Sequence, residues 1–275
     1  MAEYQLFPDI KLIVGDIYHT SCDNTMEISY CIKGVCEYRL NDEYYYVMDK
    51  KYFICMHDDT QKYLMSCSAD QRGITLLIDL RCNSEAVAEF IDIPDIFRNI
   101  QYCEQHIFDA DEKIQKLFSE IYYKSDEYKI SMLRIKLLEL FMLLSEQKRA
   151  FTEQQKVIKQ VGAFICQNVS EHFTIAQLSE IFGINQTALK SGFKEVLGCP
   201  VYTYVKNRKM FCAAELMCGT DMRIIDIAEE VGYCNASKFS SAFREVMGVN
   251  PKYYQTEHKN ASSLTNRLIH EKLAY

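Results

Sequence analysis

The side chains able to do metal or nucleophile chemistry are six histidines and twelve cysteines. Their spacing argues against both. A metal-bearing β-barrel needs histidines two residues apart plus a further His and a carboxylate, and the chain has no H-x-H; His57 stands near Cys55, and His19 and His106 stand alone. There is no C-x-x-C, and Cys22, Cys31, Cys36 and Cys55 lack the spacing of a thiolate metal site. No metal, cofactor or catalytic residue is therefore expected. Cys31 and Cys36 differ by five and would face opposite sides of a continuous strand, although a turn at Lys33-Gly34 would bring them together. Burial as small hydrophobes is the main expectation, and redox sensing the alternative. Recognition chemistry is better represented. Gln186, Thr187, Lys190, Ser191 and Lys194 form a polar, cationic set beside the apolar Ala188, Leu189 and Phe193. Fifty residues on, Ala236, Ser237, Lys238, Ser240, Ser241 and Arg244 make a comparable set beside Phe239, Phe243 and Met247. Amides, hydroxyls and cations of this kind bond to phosphate oxygens and to base edges of duplex DNA. Arg208 and Lys209, between the two sets, are further candidates for phosphate contact.

The elements that must hold these side chains are two copies of one unit. Leu178 to Gly183 (LSEIFG) matches Ile227 to Gly232 (IAEEVG) at an offset of 49, and Asn185 to Gly198 matches Asn235 to Gly248 at an offset of 50. In each copy a helix stops at a glycine, an asparagine caps the next helix, and a second glycine closes it. A short helix, a tight turn and a second capped helix make the helix-turn-helix arrangement, in which the second helix enters the major groove. The units span 174–198 and 224–248. Between them Pro200 to Gly219 reads as one long amphipathic helix of roughly 25 to 30 Å, near the ~34 Å of one DNA turn.

Thr174 to Gln255 resembles the DNA-binding region of AraC/XylS-type transcription regulators. The likeness rests on the first helix-turn-helix, an N-R-K-M-x-x-A-x-x-L-like run (Asn207 to Leu216), I-x-x-I-A-x-x-x-G-Y (Ile224 to Tyr233), F-S-x-x-F-R-x-x-x-G (Phe239 to Gly248) and P-x-x-Y (Pro251 to Tyr254). The resemblance implies a sequence-specific regulator, not an enzyme, with a double-stranded DNA operator, RNA polymerase and a second copy of the chain as partners. Ser179 replaces the usual Ala and Gln255 the usual Arg. Ser191 and Ser241 stand where many relatives carry Arg, which removes bidentate reading of guanine there.

Residues 1–150 differ in kind. ISYCI, CEYRL, YYYVM, YFICM and ITLLIDL are strand runs separated by polar turns, the pattern of an antiparallel sandwich or barrel. Helical spacing then runs from Asp109 to Ser145 as two helices broken near Lys124 to Tyr128, suited to core packing or a dimer seam. This half resembles, more loosely, the cupin-like sensor domains of the same family, followed by their dimerising helices. The expected fold is α+β: an N-terminal antiparallel barrel with dimerisation helices, then an all-α domain at 151–260 and a tail at 261–275, where Leu264, Leu268 and Leu273 suggest a short helix. The resemblance implies an unidentified small-molecule effector; Tyr38, Tyr44, Tyr46, Tyr52 and His57 are the candidate lining. The polar segment SEQKRAFTEQQK marks the domain junction.

The net charge of -7 is distributed unevenly: residues 1–151 hold 17 Lys and Arg against 26 Asp and Glu, residues 152–260 hold 12 against 11. The acidity thus belongs to the first half, and DNA contact depends on local cations. The opening MAEYQLFPDIKLIVGD has charges breaking every apolar run and does not read as a signal peptide. No run approaches the ~20 apolar residues of a membrane span, so a cytoplasmic chain with reduced thiols is expected.

Overall fold

The computed structural model describes residues 1–16, 24–40, 43–57, 63–81, 106–145 and 152–258. The tail at 261–275, half of the polar junction (146–151), His19 and Cys22 lie outside them. Among the described residues no helix is long and apolar enough to cross a membrane.

Among the described residues, nine strands come first: β1 (Ala2–Phe7), β2 (Ile10–Gly15), β3 (Thr25–Lys33), β4 (Cys36–Leu40), β5 (Glu43–Val47), β6 (Lys51–His57), β7 (Tyr63–Cys67), β8 (Arg72–Asp79) and β9 (Ile107–Asp109). They form two antiparallel sheets, a six-stranded one in the order β1-β2-β8-β3-β6-β9 and a three-stranded one in the order β5-β4-β7. The expected barrel does not close. The free edge of β5 is taken by the helical half instead: the Tyr46 amide donates to the Leu197 carbonyl at 3.3 Å, so that edge is satisfied without a neighbouring strand.

Alternation along β3 gives the large sheet two different faces. Met26, Ile28 and Tyr30 belong to a core shared with two helices, α1 (Glu112–Lys124) and α2 (Ile130–Ser145). The α1 N-cap, Asp111, accepts from the amides of Lys113 and Ile114, and Ile114, Leu117, Phe118 and Ile121 line its buried side. Tyr30 stacks on Phe118 with centroids 4.4 Å apart. On α2, Leu133, Leu137, Leu140, Phe141 and Leu144 are buried while Met132, Ile135 and Met142 stay exposed.

Six helices follow: α3 (Glu153–Gln167), α4 (Ile175–Ile181), α5 (Gln186–Val196), α6 (Val201–Gly219), α7 (Ile224–Glu230) and α8 (Ala236–Met247), then a helical stretch at 251–258. Thr152 and Thr174 start α3 and α4 with reciprocal capping boxes to Gln155 and Gln177. The helix α6 was expected to be amphipathic. It is buried nearly all round, Asn207, Arg208 and Lys209 included, because the helical half wraps one side of it and the small sheet covers the other. Its 19 residues correspond to about 28 Å.

The second core therefore crosses from one half of the chain to the other. Tyr38, Tyr45, Tyr46 and Phe53 share it with Phe193, Tyr204, Phe211, Phe239 and Phe243. Truncating one of these phenylalanines to alanine costs about 3–5 kcal/mol. Packing on this scale makes the small sheet a platform for the helices.

Candidate nucleic-acid interface

The internal repeat is a three-helix unit, used twice: α3-α4-α5 and α6-α7-α8. Asn185 and Asn235 cap the third helix of each unit, accepting from the amides of Ala188 (2.8 Å) and Lys238 (2.9 Å). Gly183 and Gly232, with φ of 61° and 80°, make the two turns, a conformation that glycine adopts without strain. Even the acidic residue late in each third helix is handled alike. Glu195 accepts from Gln155 of α3 at 2.8 Å, and Glu245 from Lys206 of α6 at 2.6 Å. Each carboxylate is thereby drawn toward its first helix, beside a neighbouring cation, Lys194 or Arg244, in the last turn.

Burial of the apolar stripes turns the remaining side chains outward. Gln186, Thr187, Lys190, Ser191 and Lys194 on α5 are all exposed, as are Ala236, Ser237, Lys238, Ser241 and Arg244 on α8; Ser240 is half-buried. The Ser191 hydroxyl donates to the Thr187 carbonyl at 3.1 Å, leaving its lone pairs to accept. Neither helix has an acid in its first turn, so both N-termini keep the partial positive charge that attracts phosphate.

Two of the expected phosphate contacts do not belong to this surface. The Arg208 guanidinium is buried between α6 and β4, 3.0 Å from Glu37 and 3.3 Å from Glu215, with its plane 4.2 Å from the Tyr44 ring centroid. Burial opposes its charge, but Glu37 and Tyr46 outweigh that and hold its pKa up. Lys209 is buried as well. Its ammonium donates to the carbonyls of Val169 (2.6 Å), Val231 (2.8 Å) and Ser170 (3.3 Å), joining the stretch after α3 in the first unit to the turn of the second. Desolvation lowers its pKa. Three carbonyl acceptors replace the hydration an exposed lysine would keep.

The structure adds Tyr202 and Lys206, which the sequence reading did not select. With Tyr233, Ser237, Lys238 and Ser241 they line an open groove of about 430 Å³ between α6 and α8. Tyr202 is 77% exposed, and Lys206 lies four residues on, the one-turn spacing that places both on the same side of a helix otherwise buried. That spacing was the available signal.

Both third helices end against the small sheet. The Leu197 carbonyl accepts from the Tyr46 amide and the Met247 carbonyl from the Ala69 amide at 2.8 Å, while from the large sheet Lys51 Nζ of β6 reaches the Lys194 carbonyl at 3.3 Å. Leu197 and Met247 are equivalent positions of the repeat. The glycines after them are tightly fitted: a Cβ on Gly198 would lie 2.2 Å from the Tyr46 carbonyl oxygen, and one on Gly248 2.9 Å from an Asp70 carboxylate oxygen.

The five candidate effector residues occupy three separate places. Tyr38 and His57 meet between the sheets at Glu27, with the Tyr38 hydroxyl 3.2 Å and the His57 Nε2 3.0 Å from its carboxylate; Ser29 donates to the same group at 2.5 Å. Tyr44 and Tyr46 face α6, where Tyr46 meets Tyr204 edge-on at 5.1 Å and donates to Glu37. Tyr52 stacks against Phe108 on the opposite side of the large sheet.

Residues 178–257 match the family model of a helix-turn-helix domain. This segment is an AraC-type helix-turn-helix domain. Part of the chain is similar to curated transcription regulators. The chain is 22% identical over 102 residues to the transcriptional activator AarP of Providencia stuartii, covering 37% of this chain and 76% of that protein. It is 25% identical over 127 residues to the virulence regulon transcriptional activator VirF of Yersinia enterocolitica, covering 44% and 47%, and 27% identical over 94 residues to the transcriptional regulator ExsA of Pseudomonas aeruginosa, covering 34% of each. The matched stretch thus covers about three quarters of AarP, about half of VirF and about a third of ExsA. Among solved structures it is similar to the C-terminal domain of AraT from Geobacillus stearothermophilus (28% identity, 38% of this chain and 88% of that one, TM-score 0.37) and to ToxT from Vibrio cholerae (14% identity, 90% and 98%, TM-score 0.38). Ser179 and Gln255, the departures from the AraC-type pattern, both have partners here. Ser179 Oγ donates to the Ile184 carbonyl at 2.6 Å across the first turn, and Gln255 Nε2 to the Met222 carbonyl at 3.1 Å.

Proposed function

We propose that the chain is a sequence-specific, double-stranded-DNA-binding transcription regulator and not an enzyme. The observation that carries this reading is the pair of capped third helices, each turning an exposed polar and cationic face outward while its last turn rests on the N-terminal sheet. One helix in each of two major grooves would be read through Gln186, Thr187, Lys190 and Ser191, and through Ala236, Ser237, Lys238, Ser240 and Ser241; Lys194 and Arg244 would position phosphates. Residues 1–150 act as the sensor and dimerisation module. The exposed Met132, Ile135 and Met142 on α2 supply an apolar stripe for a second copy of the chain. A small-molecule effector would be held between the sheets near Glu27, Tyr38 and His57, where buried polar groups can orient it. Such an effector acts only by binding two states with different affinity. Contact with RNA polymerase follows from the family likeness, as does action in the cytoplasm.

The test is selection of binding sequences from a random DNA pool, followed by gel shifts over a salt series with and without candidate metabolites. Enrichment of one motif with two half-sites supports the reading. A chain that enriches no sequence overturns it.

A further inference from the structure

Cys36 of β4 and Cys67 of β7 are direct cross-strand partners. Their sulfur atoms lie 2.8 Å apart, less than an ångström from the ~2.05 Å of a disulfide. Cys36 is buried and Cys67 partly exposed, so an oxidant from solvent meets Cys67 first. Burial, with Cys67 beside it, raises the Cys36 pKa well above the usual thiol range.

Beyond Cys67 the chain enters the turn that holds α8. The Ser68 amide donates to the Val35 carbonyl at 2.9 Å, the Val35 amide to Ser68 Oγ at 3.0 Å, and the next amide, that of Ala69, to the Met247 carbonyl at 2.8 Å. Asp70 fits against Gly248. Two residues therefore separate the thiol from the last turn of the second reading helix.

We propose that Cys36 and Cys67 form a reversible disulfide on exposure to a peroxide, and that closing it shifts the end of β7 and loosens the Ala69–Met247 anchor of α8. The Cys67 sulfur attacks the peroxide, breaking its O–O bond, and becomes a sulfenic acid with release of one water. The Cys36 sulfur then displaces the hydroxyl from Cys67, its proton leaving with that hydroxyl as a second water. Two thiols are oxidised by two electrons and one hydrogen peroxide is reduced to two waters; a dithiol reductant reverses the step. The effect on DNA rests on the regulator reading above. Disulfide formation does not.

The experiment treats the full chain with hydrogen peroxide, blocks remaining thiols and maps its peptides. A Cys36–Cys67 linked peptide is expected, lost on adding dithiothreitol, absent from Cys36→Ser and Cys67→Ser, and retained in Cys31→Ser. Thermal melts confirm that the variants fold. Affinity for the DNA selected by the reduced chain should fall about five-fold on oxidation, the scale of one lost hydrogen bond, and stay constant in either serine variant. Amide exchange across the last turn of α8 should quicken. Absence of the linked peptide overturns the proposal, and so does a linked peptide with unchanged affinity and exchange. If the reduced chain selects no DNA, the regulator reading falls, and the exchange of α8 alone decides the redox device.

Discussion

Arg208 of α6 and Glu37 of β4, 171 residues apart in sequence, form a buried ion pair 3.0 Å long that joins the helical half of the chain to its small sheet. Both side chains are almost fully removed from solvent, 6% and 4% exposed. Removing the guanidinium leaves a buried carboxylate without its cation, a loss of about 3–5 kcal/mol. Arg208→Met should therefore lower the urea midpoint strongly. In the fraction that stays folded, the salt dependence of DNA binding should keep its slope; a slope reduced by about 1 would return Arg208 to the phosphate backbone.

Glu37 gives the joint a pH dependence. Burial pushes its carboxyl up from 4.5 to about 7, against the pull of Arg208 and Tyr46. An acid whose pKa is raised on folding favours the folded state most at low pH, and that contribution is lost as pH rises from about 4.5 through about 7. Wild type should lose about 3 kcal/mol relative to Glu37→Gln across this window, measured by denaturant unfolding at fixed salt. Burial lowers the pKa of His106 from 6.5 to about 4, which works in the opposite sense, weakening the fold as pH falls. It is common to both proteins and cancels in the comparison. A constant difference between the two at pH 5 and pH 8 would show that Glu37 does not titrate there. Below its pKa, Arg208 still has the Glu215 carboxylate at 3.3 Å.

Lys190 and Lys194 lie on the exposed side of α5, one turn apart. Lys190→Ala and Lys194→Ala should each weaken gel-shift affinity similarly for strong and weak sequences and reduce the salt slope by about 1. Ser191→Ala, whose hydroxyl already bonds its own helix, should change sequence preference more than salt slope. Unchanged affinity of Lys190→Ala at physiological salt removes that residue from the interface.

Two glycines of the first unit separate backbone strain from steric fit. Gly183 has φ of 61° and open space where a Cβ would stand; Gly198 has φ of 91° and the Tyr46 carbonyl oxygen 2.2 Å away. Gly183→Ala should cost roughly 1–2 kcal/mol, the left-handed penalty alone. Gly198→Ala should cost clearly more and release the first reading helix from β5. Equal melting temperatures for the two variants would mean that the sheet yields to the added methyl.

The repeat was legible in the sequence because each unit solves its own problem locally: a turn glycine, a cap asparagine and an apolar stripe at four-residue spacing. The exposed set on α5 and α8 followed from those stripes. Arg208 and Lys209 were misplaced for the complementary reason. Helical spacing cannot reveal that a strand 171 residues away supplies Glu37, or that three carbonyls converge on one ammonium. Tyr44, Tyr45 and Tyr46 hid the platform in the same way. Tyr45 packs inward near Phe53, while Tyr44 and Tyr46 meet α6, so both faces of β5 are buried and alternation left no polar trace. The strand β1, with Glu3 and Gln5 among its residues, and β9, three residues long, carry too little apolar pattern to be found from the sequence alone.

The contacts at Leu197 and Met247 give the molecule a two-point mounting. Since the same position of each reading helix is fastened to one small sheet, the separation of the two helices is gauged outside the segment that touches DNA. If both helices read DNA as proposed, an operator whose grooves stand at another distance would have to break one fastening before engaging both. On the proposed regulator reading, half-site spacing would be set through β5 and the turn after β7, and the N-terminal half would take part in choosing the operator without touching a base.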